Sequence, residues 1–408
     1  AQGERGLTVW SNKAAVAATL AGIELKLDQR AAREFLLLSH PLENRTLLEG
    51  VCVEPAATCV MMDAGGLHRK RYIDLPVAYF EHRLPVKEAA ARVVAGMEPL
   101  IETLKQKEGA ARLHLSGGMD SRAVGAICAH YGYRPKALTH NTPNDEVASA
   151  QPLAKFLRMP YEQKKSWLTS APDFFELVGP SLWQSDGLMS LKYLCGQYDL
   201  ELVRDEGYIP IEGYGGEHGR GYFYGEGDAR LKLGQGRFDK LYEKMLGGRA
   251  ALMPSPGAGV RVRETIKTLL DESLDCGLDP YQTATWFYVS QRTRRWAAAR
   301  RSAGWHWVID PLQQPCWTYH AWSASPDDQC DQGLITHVIE HAKSGTMKVP
   351  TTHELAYQAR RRRIASHRLT RGWMKMYDRL KRAKPESITT QTLQVIRPEL
   401  VSYIREAG

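Results

Sequence analysis

The sequence predicts an α/β protein in which helices flank a parallel sheet, and three observations carry that prediction. Between residues 111 and 211, strand-like and helix-like stretches alternate. The first strand ends in Ser116-Gly117-Gly118-Met119-Asp120-Ser121 and opens a helix. The third ends in a second glycine-rich run, Gly213-Tyr214-Gly215-Gly216-Glu217. In open sheets of this kind, sites gather at the carboxyl ends of the strands.

From Leu7 to about Pro76 the pattern is short and mixed, with turn signals at Ser39-His40-Pro41 and Ala64-Gly65-Gly66. The run Cys59-Val60-Met61-Met62-Asp63 before the glycines reads as strands joined by tight turns, in a small α/β or mostly β unit. Val93, Val94, Met97, Leu100, Ile101 and Leu104 recur at helical spacing and predict one helix over Val86 to Lys107. Ala111 to Leu115 is then a strand, Ser121 to about Tyr131 a helix, Lys136 to Thr142 a second strand and Asp145 to Leu157 a second helix. Asn144 or Asp145 caps that helix, and Tyr208 to Ile211 is the third strand. From Tyr281 the reading is helical, including Trp286 to Arg301 and Leu334 to Ala342.

With 408 residues the chain holds two or three packed units. Its net charge of +8 is local. Eleven Lys or Arg and one acid fall between Gln358 and Lys384, and the rest carries 43 basic against 45 acidic residues. In that stretch Leu369, Trp373, Met376 and Leu380 share a stripe, with Arg368, Arg371, Lys375, Arg379 and Arg382 off it, so an amphipathic helix with a cationic outer face is expected. The basicity therefore describes one face and not the whole protein; binding to nucleic acid is not the expected role. No run of 18 apolar residues and no signal-peptide pattern occurs, which argues against membrane insertion and secretion. Seven cysteines, odd in number and never spaced Cys-x-x-Cys, read as reduced thiols in a cytoplasm.

A strand that ends in Ser-Gly-Gly and opens a helix aims backbone N–H groups and the positive end of a helix dipole at one spot. Gly117 and Gly118 let the backbone approach an anion, and the hydroxyls of Ser116 and Ser121 add donors, so the loop reads as a phosphate cradle. It lacks the Gly-x-x-x-x-Gly-Lys-Ser/Thr layout of a kinase-like or GTPase-like loop. Asp120 sits inside the cradle, where a metal would make a carboxylate welcome beside phosphates.

Leu115-Ser116-Gly117-Gly118-Met119-Asp120-Ser121 resembles the pyrophosphate-binding loop of the asparagine synthetase superfamily, and Gly213-Tyr214-Gly215-Gly216-Glu217 resembles its second motif. The resemblance implies an adenine nucleotide α-hydrolase-like synthetase domain over residues 81–408, with ATP and Mg2+ as cofactors. It implies Asp120 and Glu217 as the metal ligands. Family members usually carry aspartate where Glu217 stands, so one extra methylene must be absorbed. Backbone contacts to adenine are implied at Leu115, Leu138 and Gly213.

Tyr214 stands where asparagine synthetase has a glutamate and where β-lactam synthetase and carbapenam synthetase have a tyrosine. In those relatives the tyrosine and a later glutamate help to deprotonate the attacking amine. Tyr214 is thus the candidate relay and Glu243 its candidate partner, with Glu226 and Glu264 as competitors. Lys348, in Lys343-Ser-Gly-Thr-Met-Lys348-Val-Pro350, or one of the arginines from Arg360 onward, is the candidate cation for the adenylate.

Arg45-Thr46-Leu47-Leu48-Glu49-Gly50-Val51 with Tyr72 resembles the later half of the amidotransferase domain that precedes this synthetase domain. Residues 1–80 are therefore expected to form a small, degenerate α+β unit. Glutamine hydrolysis in that family needs an amino-terminal cysteine, and residue 1 is alanine. The expected reaction is amide formation through an acyl-adenylate, with a substrate amine as nucleophile. The substrate is a small molecule or peptide bearing a carboxylate and an amine. A homodimer, or a partner protein that supplies substrate, stays open. An RNA-modifying enzyme of the pyrophosphate-loop group and a non-catalytic scaffold are the competing readings.

Overall fold

In the computed structural model the described residues are 7–72, 80, 84–107, 111–140, 146–164, 178–179, 182–183, 185–188, 207–223, 245, 256–295 and 308–358. Four strands, β3 (Ala111–His114), β4 (Lys136–His140), β5 (Tyr161–Lys164) and β6 (Ile209–Ile211), form a parallel sheet in the order β5-β4-β3-β6. Ala111 and Leu113 alternate with less buried neighbours along β3, the period expected of a strand between packed layers. The order of the strands reverses beside β3, since the chain leaves it toward β4 on one side and returns as β6 on the other. A crevice forms at such a reversal, outside the carboxyl ends of the strands. Ile309 adds a further parallel bridge to Ile211.

Helix α3 (Val86–Gly96) packs against α11 (Gly333–Ala342), and α11 in turn packs against α5 (Met119–His130). Their apolar faces meet Leu113, Leu115 and Ile211 of the sheet in one core, with Val93, Ile127, Val338 and Ile339 fully or almost fully buried. Burying such aliphatic side chains contributes roughly 1.5–3 kcal/mol each.

The single helix expected over Val86 to Lys107 is two, α3 and α4 (Glu98–Lys105), broken at Met97. Pro99 has no N–H to continue the ladder, and Gly96 is where Cys316 of helix α9 (Pro315–Ser323) presses in. The strand and helix expected at Lys136 and Asp145 are present as β4 and α6 (Glu146–Phe156), while the cap position at residues 144–145 lies outside the described residues. The helix expected from Trp286 begins earlier, at Pro280, where Asp279 and Gln282 form a capping box. That helix, α8 (Pro280–Phe287), continues through a π-helical turn, Tyr288–Thr293. The basic segment from residue 359 onward lies outside the described residues.

Among the described amino-terminal residues there are two helices and one hairpin, more helix than their turn signals suggest. Helix α2 (Gln29–Leu38) starts at Asp28, which accepts from the N–H groups of Arg30 (2.8 Å) and Ala31 (2.9 Å). Strands β1 (Thr58–Asp63) and β2 (Gly66–Arg71) pair antiparallel around Ala64-Gly65. Leu37, Leu38 and Leu42 share a core with Ile266 and Leu270 of helix α7 (Pro256–Asp275) and with Phe287 and Tyr288. Glu34, fully buried beneath them, accepts from Leu42 N–H (2.8 Å) and from the Arg45 guanidinium (2.7 Å).

Arg122, in the first turn of α5, is fully buried and binds the chain after α11. It donates to the carbonyls of Thr346 (3.0 Å), Val349 (2.6 Å) and Pro350 (3.3 Å). Arg122→Met keeps the length and removes the donors, leaving three carbonyls without their cation. The expected loss is on the order of 3 kcal/mol, read as a lower urea midpoint at unchanged slope. A midpoint equal to that of the parent protein would contradict this role.

Candidate active site

The loop after β3 closes on itself before the helix begins. Ser116 N–H donates to Ser121 Oγ (3.0 Å), the two serine hydroxyls lie 2.9 Å apart, and Gly118 N–H donates to Ser116 Oγ (3.2 Å). Helix α5 starts at Met119 without a side-chain cap, so its first turn presents N–H groups toward whatever lies in front of it.

The second glycine loop leaves β6 and lies directly against that helix start. A Cβ on Gly213 would overlap the backbone of Asp120 and Ser121, and one on Gly216 would overlap the Asp120 carboxylate. Gly215 takes φ +104°, outside the range open to ordinary side chains, and its carbonyl accepts from Trp317 Nε1 (2.8 Å). Trp317, fully buried, thereby fixes the height of the loop.

These approaches bring Asp120 and Glu217 to one place. Asp120 Oδ2 accepts from Arg220 (2.6 Å), whereas Oδ1 is buried and has no hydrogen-bond partner. Burial pushes the Asp120 carboxyl up to about 6, with Arg220 pulling it down and Glu217 pushing it further up. Glu217 Oε2 accepts from Gly215 N–H (3.0 Å), and Oε1 accepts from the Tyr288 hydroxyl (3.3 Å). Burial and the nearby Glu217 and Tyr214 hold the Tyr288 phenol well above its usual range. His218 is buried against Tyr288 and Trp322, both ring nitrogens lack partners, and burial lowers its basicity.

The third wall is the chain after α11. Thr352 N–H donates to the Gly117 carbonyl (3.2 Å), and a Cβ on Gly117 would overlap Thr352 Oγ1. Ser149 Oγ donates to the Pro350 carbonyl (2.6 Å). Lys348 ends a short 3-10 turn, Thr346–Lys348, and is exposed, in the same stretch that Arg122 fastens beneath the cradle.

The structure thus brings together Ser116, Gly117, Gly118, Asp120, Ser121, Gly213 and Glu217, with Lys348 in the wall behind. Leu115 and Leu138 lie one step back in the sheet. Leu115 N–H donates to the Leu138 carbonyl (2.9 Å), and the Leu115 carbonyl accepts from Thr139 Oγ1 (2.6 Å), so both groups of Leu115 are engaged. Glu243 and Glu226 lie outside the described residues, and Glu264 is exposed on α7. Arg220, His218 and Tyr288 join the site through contacts that the motifs themselves do not specify. His218 and Arg220 directly follow the second glycine-rich run, where proximity to Glu217 is a usable signal; Tyr288 is 71 residues from Glu217 and gives none.

Asp120 and Glu217 suit Mg2+, which is held by one or two carboxylates plus phosphate oxygens and water, and the orphaned Oδ1 is the acceptor such an ion would take. Among the described residues no group of three or more His, Cys, Asp or Glu converges, here or elsewhere, and no helix is long and apolar enough to cross a membrane.

No family model matches the chain, and no curated protein matches it. Among solved structures it is similar to NMN synthetase from Francisella tularensis, at 14% identity and TM-score 0.27, over 53% of this chain and 97% of that one. It is also similar to NAD+ synthetase from Burkholderia pseudomallei, at 15% identity and TM-score 0.23, over 45% of this chain and 76% of that one. Neither overlap is close enough to bear on the reading of the site.

The raised Asp120 carboxyl has a stability consequence. Between its ordinary value of 3.8 and about 6 the folded chain holds the extra proton, so stability falls as pH rises through that window. Above about 6 the full cost of the charge is present. Asp120→Asn is therefore expected to stabilise the nucleotide-free protein at pH 8 by on the order of 2 kcal/mol, with the gain vanishing below pH 4. Chemical denaturation at both pH values checks this. A less stable variant at pH 8 would instead mark Asp120 as a structural partner of Arg220.

Proposed function

We propose that the chain is an ATP-dependent carbon–nitrogen ligase that activates a carboxylate as its adenylate and then forms an amide, releasing AMP and pyrophosphate. The observation that supports this most is the contact between two glycine loops at the reversal between β3 and β6. There an uncapped helix start and a carboxylate with an orphaned oxygen face the same crevice.

In this reading the backbone of residues 116–118 and the first turn of α5 hold the phosphates that leave. Fixed dipoles of this kind need no rearrangement as charge develops on the departing group, which is where they lower a barrier most. Asp120 and Glu217 would hold Mg2+, whose charge neutralises the phosphates. Arg220 pairs with Asp120. Once Asp120 takes another partner, the Arg220 guanidinium is a fork for phosphate oxygens. Lys348, on the stretch fastened by Arg122, is the candidate for steadying the adenylate.

Tyr214 follows Gly213 and neighbours Tyr288 and Glu217, so a proton taken from the attacking amine has phenol and carboxylate groups at hand. A phenol alone is a poor base at neutral pH, and a glutamate partner such as Glu243 would complete the relay. The nucleophile is a substrate amine, on the same molecule, on a second one or on a peptide. Natural-product or peptide biosynthesis, including lasso-type ring closure, is the setting this chemistry fits, in a reducing cytoplasm. Residues 1–80 are proposed as a degenerate amidotransferase-like unit and residues 81–408 as the synthetase domain.

ATP–pyrophosphate exchange with a panel of amino acids, dicarboxylates and short peptides tests the proposal. Exchange that depends on one carboxylate, and that falls about 100-fold or more in Asp120→Ala, is the expected result. Nucleotide turnover that yields ADP and phosphate would overturn it. Absence of exchange with salt-sensitive binding of tRNA would favour the RNA-modifying reading.

A further inference from the structure

A second site lies apart from the cradle, at the other end of the π-helical turn that begins with Tyr288. A cavity of about 860 Å3 opens between the amino-terminal residues and Arg294 and Arg295. Val9, Leu47, Leu67 and Leu188 give it apolar walls. That volume is the size of a pocket for a small organic ligand.

Among the described residues, the two arginines at this cavity are held by backbone and amide oxygens. Arg294 donates to Asn44 Oδ1 (3.2 Å) and to the Glu54 carbonyl, and Arg295 donates to the Glu43 carbonyl. Arg295 is 3% exposed, and its Nε is buried with no hydrogen-bond partner. Among the described residues neither guanidinium has a carboxylate within ion-pair distance. The nearby acids are engaged elsewhere: Glu54 with Arg69 and Trp10, Asp186 with Ala14 N–H (3.1 Å), and Glu34 and Glu43 with Arg45.

The surroundings register this surplus of positive charge. Burial and the neighbouring Arg294 and Arg45 lower the Arg295 guanidinium to about 10, against the smaller opposing pull of Glu34. Burial, with Arg292 and Arg295 beside it, lowers the buried His40 ring to about 3. Buried cations without counter-ions are costly, and an anion seated on them recovers that cost.

We propose that this cavity binds a small organic anion, a carboxylate or phosphate head on an apolar body, with the head on Arg294 and Arg295. Planar guanidinium forks match both heads, and the apolar walls select a ligand with a hydrocarbon body over a bare ion. The site does not depend on the reading of the cradle, and its test needs no nucleotide.

Calorimetric titration of the full chain with octanoate and with octyl phosphate, at constant ionic strength, tests it. Saturable 1:1 binding of either probe is expected, and the tighter one identifies the head. Arg294→Gln is expected to weaken that binding by about ten-fold or more. Asn12→Trp, which narrows the exposed mouth and leaves both arginines in place, is expected to weaken it as well and decides the matter should the arginine variant fail to fold. No saturable binding by the parent protein, or affinity unchanged in a folded variant, would overturn the proposal.

Discussion

Two backbones in contact at the end of a sheet set the terms for everything around them. Where β3 and β6 lie side by side, the turn after each strand must fit in the same space, and only residues without a Cβ fit. Gly213 against the start of α5 and Gly216 against Asp120 meet that condition. The consequence is electrostatic. A helix start without a side-chain cap and two carboxylates are forced together, and a carboxylate deprived of water in that position is raised well above its ordinary range. An arrangement that is unfavourable when empty has stored part of the energy that a polyanion with its cation can recover.

The arrangement persists because rigid groups behind it hold its walls. Arg122 ties the chain after α11 to the first turn of α5 through three carbonyls, and Trp317 holds Gly215 from below. Both are fully buried and neither faces the crevice directly. Their part is to keep loops that carry polar groups from relaxing apart, which a core of aliphatic side chains cannot do with the same directionality. The second core, around Leu37, Ile266 and Phe287, joins the amino-terminal helix α2 to the helices that carry Tyr288, Arg294 and Arg295.

Much of this was legible where the signal is local. The glycine loop, the strand before it and the helix after it are written in twenty consecutive residues, 111–130, and the alternation that follows gives the parallel sheet. Val262, Ile266 and Leu270 repeat every four residues, a helical stripe that the sequence carries for α7. Strand β5, Tyr161-Glu162-Gln163-Lys164, gave no strand signal, because an edge strand with polar side chains is defined by its partner β4 and not by its own pattern. The polar contacts of the site are illegible for a different reason. Arg220 and Asp120 are 100 residues apart, Tyr288 and Glu217 are 71 apart, and Arg122 reaches carbonyls more than 220 positions away. A sequence offers many arginines for one partly buried aspartate, and only the fold chooses among them.

A crystal structure of the protein with a non-hydrolysable ATP analogue and Mg2+ tests the central claim most directly. The expected result has the β- and γ-phosphates against the backbone of residues 116–118, the ion on Asp120, and Arg220 released from that carboxylate. Nucleotide bound away from the β3–β6 junction, or phosphates at the junction with the Arg220–Asp120 pair intact and no ion, would contradict it.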